Sequence, residues 1–221
     1  MTDQNYTHIT IVADRSGSMQ SIRTDAEGAI NSFVAEQAKV EGRATLTLID
    51  FDSTEPHRVV YRGAIGDAPP YVLTPRGMTP LRDAIGKAIV DTGERLAALD
   101  EEYRPGHVFF VIQTDGQENA SHEWTQEAIN ALIKSQEDDF AWTFIFLATG
   151  PDAWSTAQAY AGTQMLRTNT VKNTGAGHSH DVSVGYVGQN IAATRSGGQT
   201  MSYGVDVDDA GTVTERTEAT K

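Results

Sequence analysis

The run Ile9-Thr10-Ile11-Val12-Ala13 is short, apolar and stops at an alternation of acid and hydroxyl, Asp14-Arg15-Ser16-Gly17-Ser18. A strand covered on both faces reads as such a run, whereas a half-exposed strand alternates apolar with polar. The residues that follow change period. Met19, Ile22, Ala26, Ala29, Phe33 and Gln37 recur at three and four, which is the stripe of an amphipathic helix. A buried strand, a tight loop and a helix in this order belong to an open α/β sheet, where loops at the carboxyl ends of the strands hold ligands.

The same alternation continues along the chain. Gly42 stops the first helix, and Ala44–Phe51 reads as a second strand. Arg58–Tyr61 is a third, expected to pair antiparallel near an edge. Pro69, Pro70 and Pro75 impose an irregular connection that ends at Thr79. Pro80 suits the first helical position, and Leu81, Ala84, Ile85, Ala88, Ile89 and Leu96 form the next stripe. His107–Gln113 is a central strand. Trp124, Ala128, Ile129, Leu132 and Ile133 mark a helix capped by Thr125 or Ser121, and Ala141–Ala148 is another strand. Pro151–Tyr160 reads as a short helix, Gln164–Arg167 as a short edge strand, and Val182–Thr194 as a weaker helix interrupted by Gly185 and Gly188. The fold class is therefore α/β: an open, mainly parallel sheet of about six strands with one antiparallel edge strand and helices on both faces. At 221 residues the expectation is one domain, 1–197, followed by a flexible acidic tail rich in Gly, Ser and Thr, 198–221.

Two further segments complete the first loop. Gly77-Met78-Thr79-Pro80-Leu81 places a hydroxyl just before a helix, and Val108–Gly116 is an apolar run ending in Thr-Asp-Gly. Asp14, Ser16, Ser18, Thr79 and Asp115 in this order resemble the metal-ion-dependent adhesion site of von Willebrand factor A (vWA) domains, and small stand-alone bacterial and phage members in particular. That resemblance implies a Rossmann-like fold and a divalent cation held by these five residues. Mg²⁺ is the expected ion, with Mn²⁺ or Ca²⁺ as alternatives, since hydroxyls and carboxylates are hard oxygen ligands. It also implies one coordination position open to an Asp or Glu of a protein partner. Met78, Gln117 and His122 are the expected partner-binding rim.

Composition narrows the function classes. The net charge of −13, with scattered basic residues, argues against nucleic acid. There is no cysteine for disulfides or thiolate chemistry, and no apolar stretch long enough to span a bilayer, so no membrane association is expected. Met1–Asn5 has neither a basic nor an apolar leader region, which makes a cytoplasmic location the expectation. The sequons at Asn5 and Asn119 are read as chance matches. His178-Ser179-His180-Asp181 is read as a solvated loop, and Asp206, Asp208 and Asp209 as soluble tail. Trp124 is expected to be a core anchor. The expected function is a non-enzymatic, metal-dependent protein-binding module in assembly or regulation. An adaptor subunit for an AAA+ ATPase is the alternative. A metal-dependent phosphohydrolase is less favoured, because Ser16 and Ser18 lack an adjacent base and a Gly-x-Ser-x-Gly context.

Overall fold

The structure, a computed structural model, describes residues 2–115, 118–149, 159–160, 169–173, 178–197, 205–207 and 213–215. The strands are β1 (Asp3–Asp14), β2 (Arg43–Phe51), β3 (Arg58–Ala64), β4 (Pro105–Thr114), β5 (Thr143–Thr149), β6 (Asn169–Asn173), β7 (Val205–Val207) and β8 (Val213–Glu215). The helices are α1 (Arg23–Ala38), α2 (Leu81–Ala97), α3 (Gln126–Phe140) and α4 (His178–Arg195). A 3₁₀ turn, Gly17–Ile22, leads into α1.

One sheet runs in the order β3-β2-β1-β4-β5-β6-β7-β8. From β2 to β7 all neighbours are parallel, while β3 and β8 are antiparallel edges. The sheet is thus mainly parallel with helices, as the apolar runs imply. The described residues hold eight strands where about six are legible: β1 to β5 match expected strands, whereas β6 lies where none is read and β7 and β8 fall within the stretch expected as a tail. Gln164–Arg167 and most of Pro151–Tyr160 lie outside the described residues. His178–Asp181 is a correction: these residues form the first turn of α4, not a loop. The flanking glycines made the segment read as a connection, yet the helix runs on through Gly185 and Gly188.

Alternation along β1 divides the interior into two layers. Ile9, Ile11 and Ala13 join Ala26, Ala29, Ile30 and Phe33 of α1 and Val187 and Ile191 of α4. Val12 joins Leu81, Ile85 and Ile89 of α2, Ile129 and Ile133 of α3, and Phe110, Phe144 and Phe146 of the sheet. These clusters are the apolar stripes read from the sequence, now facing opposite sides of the sheet.

The α2 side of β1 also carries a polar seam that periodicity does not disclose. His8, Thr10, Thr47 and Thr92 are fully buried. His8 Nδ1 bonds Thr45 Oγ1 at 2.8 Å, and its Nε2 lies 2.9 Å from Arg95 Nη2 and 3.2 Å from Thr10 Oγ1. Arg95 can only donate, so Nε2 must carry the lone pair and Nδ1 the proton. Burial, aided by Arg95 and Arg62, lowers the His8 pKa from 6.5 to about 3. Below pH 6.5 the unfolded chain takes up a proton that the folded chain refuses, so this group's contribution falls as the pH falls. The loss is about 2 kcal/mol between pH 6.5 and 5. Ring resonances of His8 that stay flat over that range, and a His8→Asn variant lacking this part of the pH dependence, are the expected observations.

Candidate metal centre

The strand order fixes where a site forms. From β1 the chain winds one way, to β2 and β3, and later returns to β4 on the other side of β1. The crevice between the carboxyl ends of β1 and β4 is therefore the switch point of the sheet, where flanking loops diverge and leave space. Asp14 ends β1, and Asp115 follows directly on β4.

Asp14 lies on the floor of this crevice, fully buried. Its Oδ1 accepts from Ser16 N at 2.7 Å and its Oδ2 from Thr114 Oγ1 at 2.8 Å. The first bond curls the chain so that alternate side chains share a side. Ser16 Oγ and Ser18 Oγ stand 3.0 Å apart, Ser16 buried and Ser18 open to solvent. Burial raises the Asp14 pKa from 3.8 to about 7, and the Asp115 charge pushes the same way against the bonds from Ser16 and Thr114. A carboxylate hidden from water beside a second acid is in the condition that a cation relieves.

Thr79 lies at the end of the third loop and is 1% exposed. Backbone bonds tie its segment to the first loop, with Gly17 N donating to Gly77 O at 3.0 Å and Arg76 N to Arg15 O at 2.8 Å. Gly77 has φ +70, and a Cβ there would stand 2.8 Å from Ser53 Oγ. Only glycine makes that turn without strain. Ser53 Oγ instead accepts from Met78 N at 2.9 Å, and Ser53 N donates to Met78 O at 3.0 Å.

The loop beyond Asp115 is fixed by polar residues outside the expected ligand set and rim. Asn119 and Thr79 exchange two bonds: Thr79 N donates to Asn119 Oδ1 at 2.8 Å, and Asn119 N to Thr79 O at 3.2 Å. Glu118 accepts from Arg82 N, Ala120 N and Ser121 N. Asp83 accepts from the backbone N of His122, Glu123 and Trp124. Two carboxylates thus bind this loop to the first turn of α2. Glu118 and Asn119 follow the Thr-Asp-Gly signature closely enough to be found by it, whereas Asp83 has no local signal.

Of the expected rim, Met78 is 55% exposed and His122 is exposed, its backbone held by Asp83. Gln117 lies outside the described residues. Trp124 packs on α2 at Gly86, where an added Cβ would meet its ring at 2.5 Å. Gly86→Ala is accordingly expected to cost about 1–3 kcal/mol, read by chemical unfolding, despite the better helix propensity of alanine. A neutral or stabilising result would mean the ring yields freely.

Beneath the first loop runs an ion network that motif spacing does not show. The Arg15 side chain is 3% exposed and lies 3.4 Å from Asp50, 2.8 Å from Asp52 and 2.5 Å from Glu55. Arg58 pairs with Asp50, and Arg76 with Asp52 and Glu55. Asp50 and Asp52 are fully buried. Arg15 is the residue between Asp14 and Ser16, so this network anchors the backbone that presents both.

The five residues expected as ligands, two acids and three hydroxyls, would make a hard donor set of low charge. Such a set suits a dication that keeps water or an outside oxygen as a further ligand. Among the described residues there is no cluster of three or more His, Cys, Asp or Glu, the pattern of softer or more highly charged sites.

No family model and no curated protein sequence matches this chain. Solved structures do. A von Willebrand factor type A protein from Catenulispora acidiphila superposes with a TM-score of 0.54 at 15% identity, over 86% of this chain and 42% of that one. The pilus adhesin SpaC from Lactobacillus rhamnosus GG gives 0.61 at 12% identity, over 84% of this chain and 30% of that one. Proximal thread matrix protein 1 from the mussel byssus, with a zinc-occupied MIDAS motif, gives 0.52 at 15% identity, over 85% of this chain and 45% of that one. This chain therefore spans less than half the length of each of these three proteins. The likeness is one of fold: the arrangement of strands and helices is that of vWA domains.

Proposed function

We propose that this chain is a metal-dependent binding module, in which Asp14, Ser16, Ser18, Thr79 and Asp115 hold a divalent cation, Mg²⁺ by preference, that receives a carboxylate of a protein partner. The observation that carries this reading is Asp14. A fully buried carboxylate beside a second acid, under two hydroxyls 3.0 Å apart, calls for a cation. A cation held by so little negative charge stays electrophilic, so an incoming carboxylate gains more from reaching it. Ser18, Met78 and His122 are all exposed and would form the contact surface.

A catalytic role is less well supported. Ser16 and Ser18 bond each other, Ser16 also bonds the Asp14 carboxylate, and among the described residues no histidine or lysine shares a hydrogen bond with either hydroxyl. The fold neighbours include an adhesin and a matrix protein, in keeping with a role in interaction.

The test compares the protein with Mg²⁺, with EDTA, and as Asp14→Ala. Calorimetry is expected to find one divalent ion per chain, lost in the variant. A partner retained from host lysate only by the metal-loaded wild type would support the reading. Retention under all three conditions would place the contact elsewhere on the surface and overturn it.

A further inference from the structure

Far from the metal loops, the seam between α2 and β3 concentrates basic groups in a chain whose net charge is −13. Lys87, Asp91 and Arg95 follow one another at intervals of four on α2, and Arg62 faces them from β3. Arg62 is paired, its Nη2 lying 2.6 Å from Asp91. Arg95 is not. Among the described residues its guanidinium has no carboxylate partner and bonds only the neutral His8 Nε2 at 2.9 Å and Thr47 Oγ1 at 3.4 Å. Its Nε is closed off without an acceptor, as is Nδ1 of the nearby His57.

A half-buried guanidinium with no carboxylate in contact is unusual, because burial disfavours charge unless it is paired. Burial is the main cost to the charge on Arg95 and to a proton on His57, and Arg62 adds to both; Asp91 offsets part of it without touching the Arg95 guanidinium. Yet the arginine is held firmly. His8, Thr10, Thr45, Thr47 and Thr92 replace apolar packing on central strands and on α2, and their hydrogen bonds converge on the atoms that orient Arg95. A buried network that aims a cation at other cations has its physical sense when an anion sits between them.

We propose that the α2–β3 seam is an oxyanion-binding site, in which Arg95 and Arg62 together receive a phosphate or carboxylate group. Arg95 is oriented by the neutral His8 and Arg62 by Asp91, so both guanidinium forks are placed before the ligand arrives. Lys87 supplies further positive potential at the side. The site shares no residue with the metal centre and is independent of it.

The test is an NMR titration of ¹⁵N-labelled, EDTA-treated protein with inorganic phosphate and, separately, acetate, at fixed ionic strength. Saturable shifts of the Arg95 Nε–H and His57 ring signals, with a Kd on the order of 1 mM or tighter for at least one anion, are expected. The better anion identifies the ligand class. Arg62→Gln, at a half-exposed position, should weaken binding by about tenfold, and Arg95→Met should abolish it. Asp14→Ala should leave it unchanged. Shifts that stay linear for both anions, or that spread evenly over the surface lysines and arginines, would overturn the proposal. Undiminished binding by Arg62→Gln would also overturn it, whether or not Arg95→Met folds.

Discussion

Asp14→Asn is expected to make the metal-free protein more stable at about pH 8, by roughly 2–4 kcal/mol, while abolishing stabilisation by Mg²⁺. The reasoning starts from burial. Asp14 is fully buried, and its pKa is raised from 3.8 to about 7. An acid whose folded pKa is raised keeps its proton in the folded state where the unfolded chain has lost it. Stability from this group is therefore present at low pH and declines as the pH rises from about 4 through 7. Asparagine removes the charge, keeps an oxygen for Ser16 N, and offers Thr114 an amide in place of the second oxygen. The gain should accordingly shrink by more than half at pH 5 and vanish only below about pH 4, where Asp14 is neutral in the unfolded chain as well. A dication cancels the same charge penalty in the wild type, so Mg²⁺ should raise its melting temperature at pH 8 and leave the variant's unmoved. Thermal unfolding at about pH 8 and pH 5, with EDTA and with Mg²⁺, resolves all of this. A variant that loses stability at pH 8 in EDTA would show that the carboxylate is held for its hydrogen bonds, and the case for a cation would lose its main support.

The sequence disclosed the layers and the candidate ligands for one reason: both are written as local patterns. Ile9–Ala13 and Val108–Ile112 are short apolar runs because the strands they form are covered on both faces, and the helical stripes name the two cores. Alternation in Asp14-x-Ser16-x-Ser18 survives into the structure as two hydroxyls on one side of a loop. What local patterns cannot encode is pairing across the chain. Asp83 looks like any first-turn acid, which a helix N-terminus favours anyway, yet it collects three backbone N–H groups 39 to 41 residues away. His8 sits in a strand that would bury a valine as well, and only the approach of Arg95 across 87 residues gives it a role. His178 misled for the opposite reason, since glycine-rich flanks are a weak signal beside the helix that follows them.

Arg15 is the clearest case of a residue hidden by its neighbours, and replacing it should have the largest destabilising effect near the site. Arg15→Met keeps an apolar stem but leaves Asp50 and Asp52, both fully buried, with one cation fewer between them. Removing one partner of a buried ion cluster costs about 3–5 kcal/mol, chiefly through the charges left behind. Arg76→Met, whose side chain is 45% exposed, should cost far less although it contacts the same Asp52. Arg15→Lys should not restore the wild-type value, because one ammonium cannot span Asp50, Asp52 and Glu55 as a planar fork does. Metal affinity should follow stability in this series: the Arg15 backbone joins Asp14 to Ser16 and accepts from Arg76 N, so a displaced side chain disturbs the loop that presents the ligands. Chemical unfolding in EDTA, paired with calorimetric Mg²⁺ titration, tests both halves. If Arg15→Met stays within about 1 kcal/mol of wild type, the network is as weak as a surface ion pair and the loop is held by its backbone bonds alone. If stability falls as expected but Mg²⁺ affinity does not, the acid-hydroxyl loop is independent of the charges beneath it, and Arg15 belongs to the fold alone.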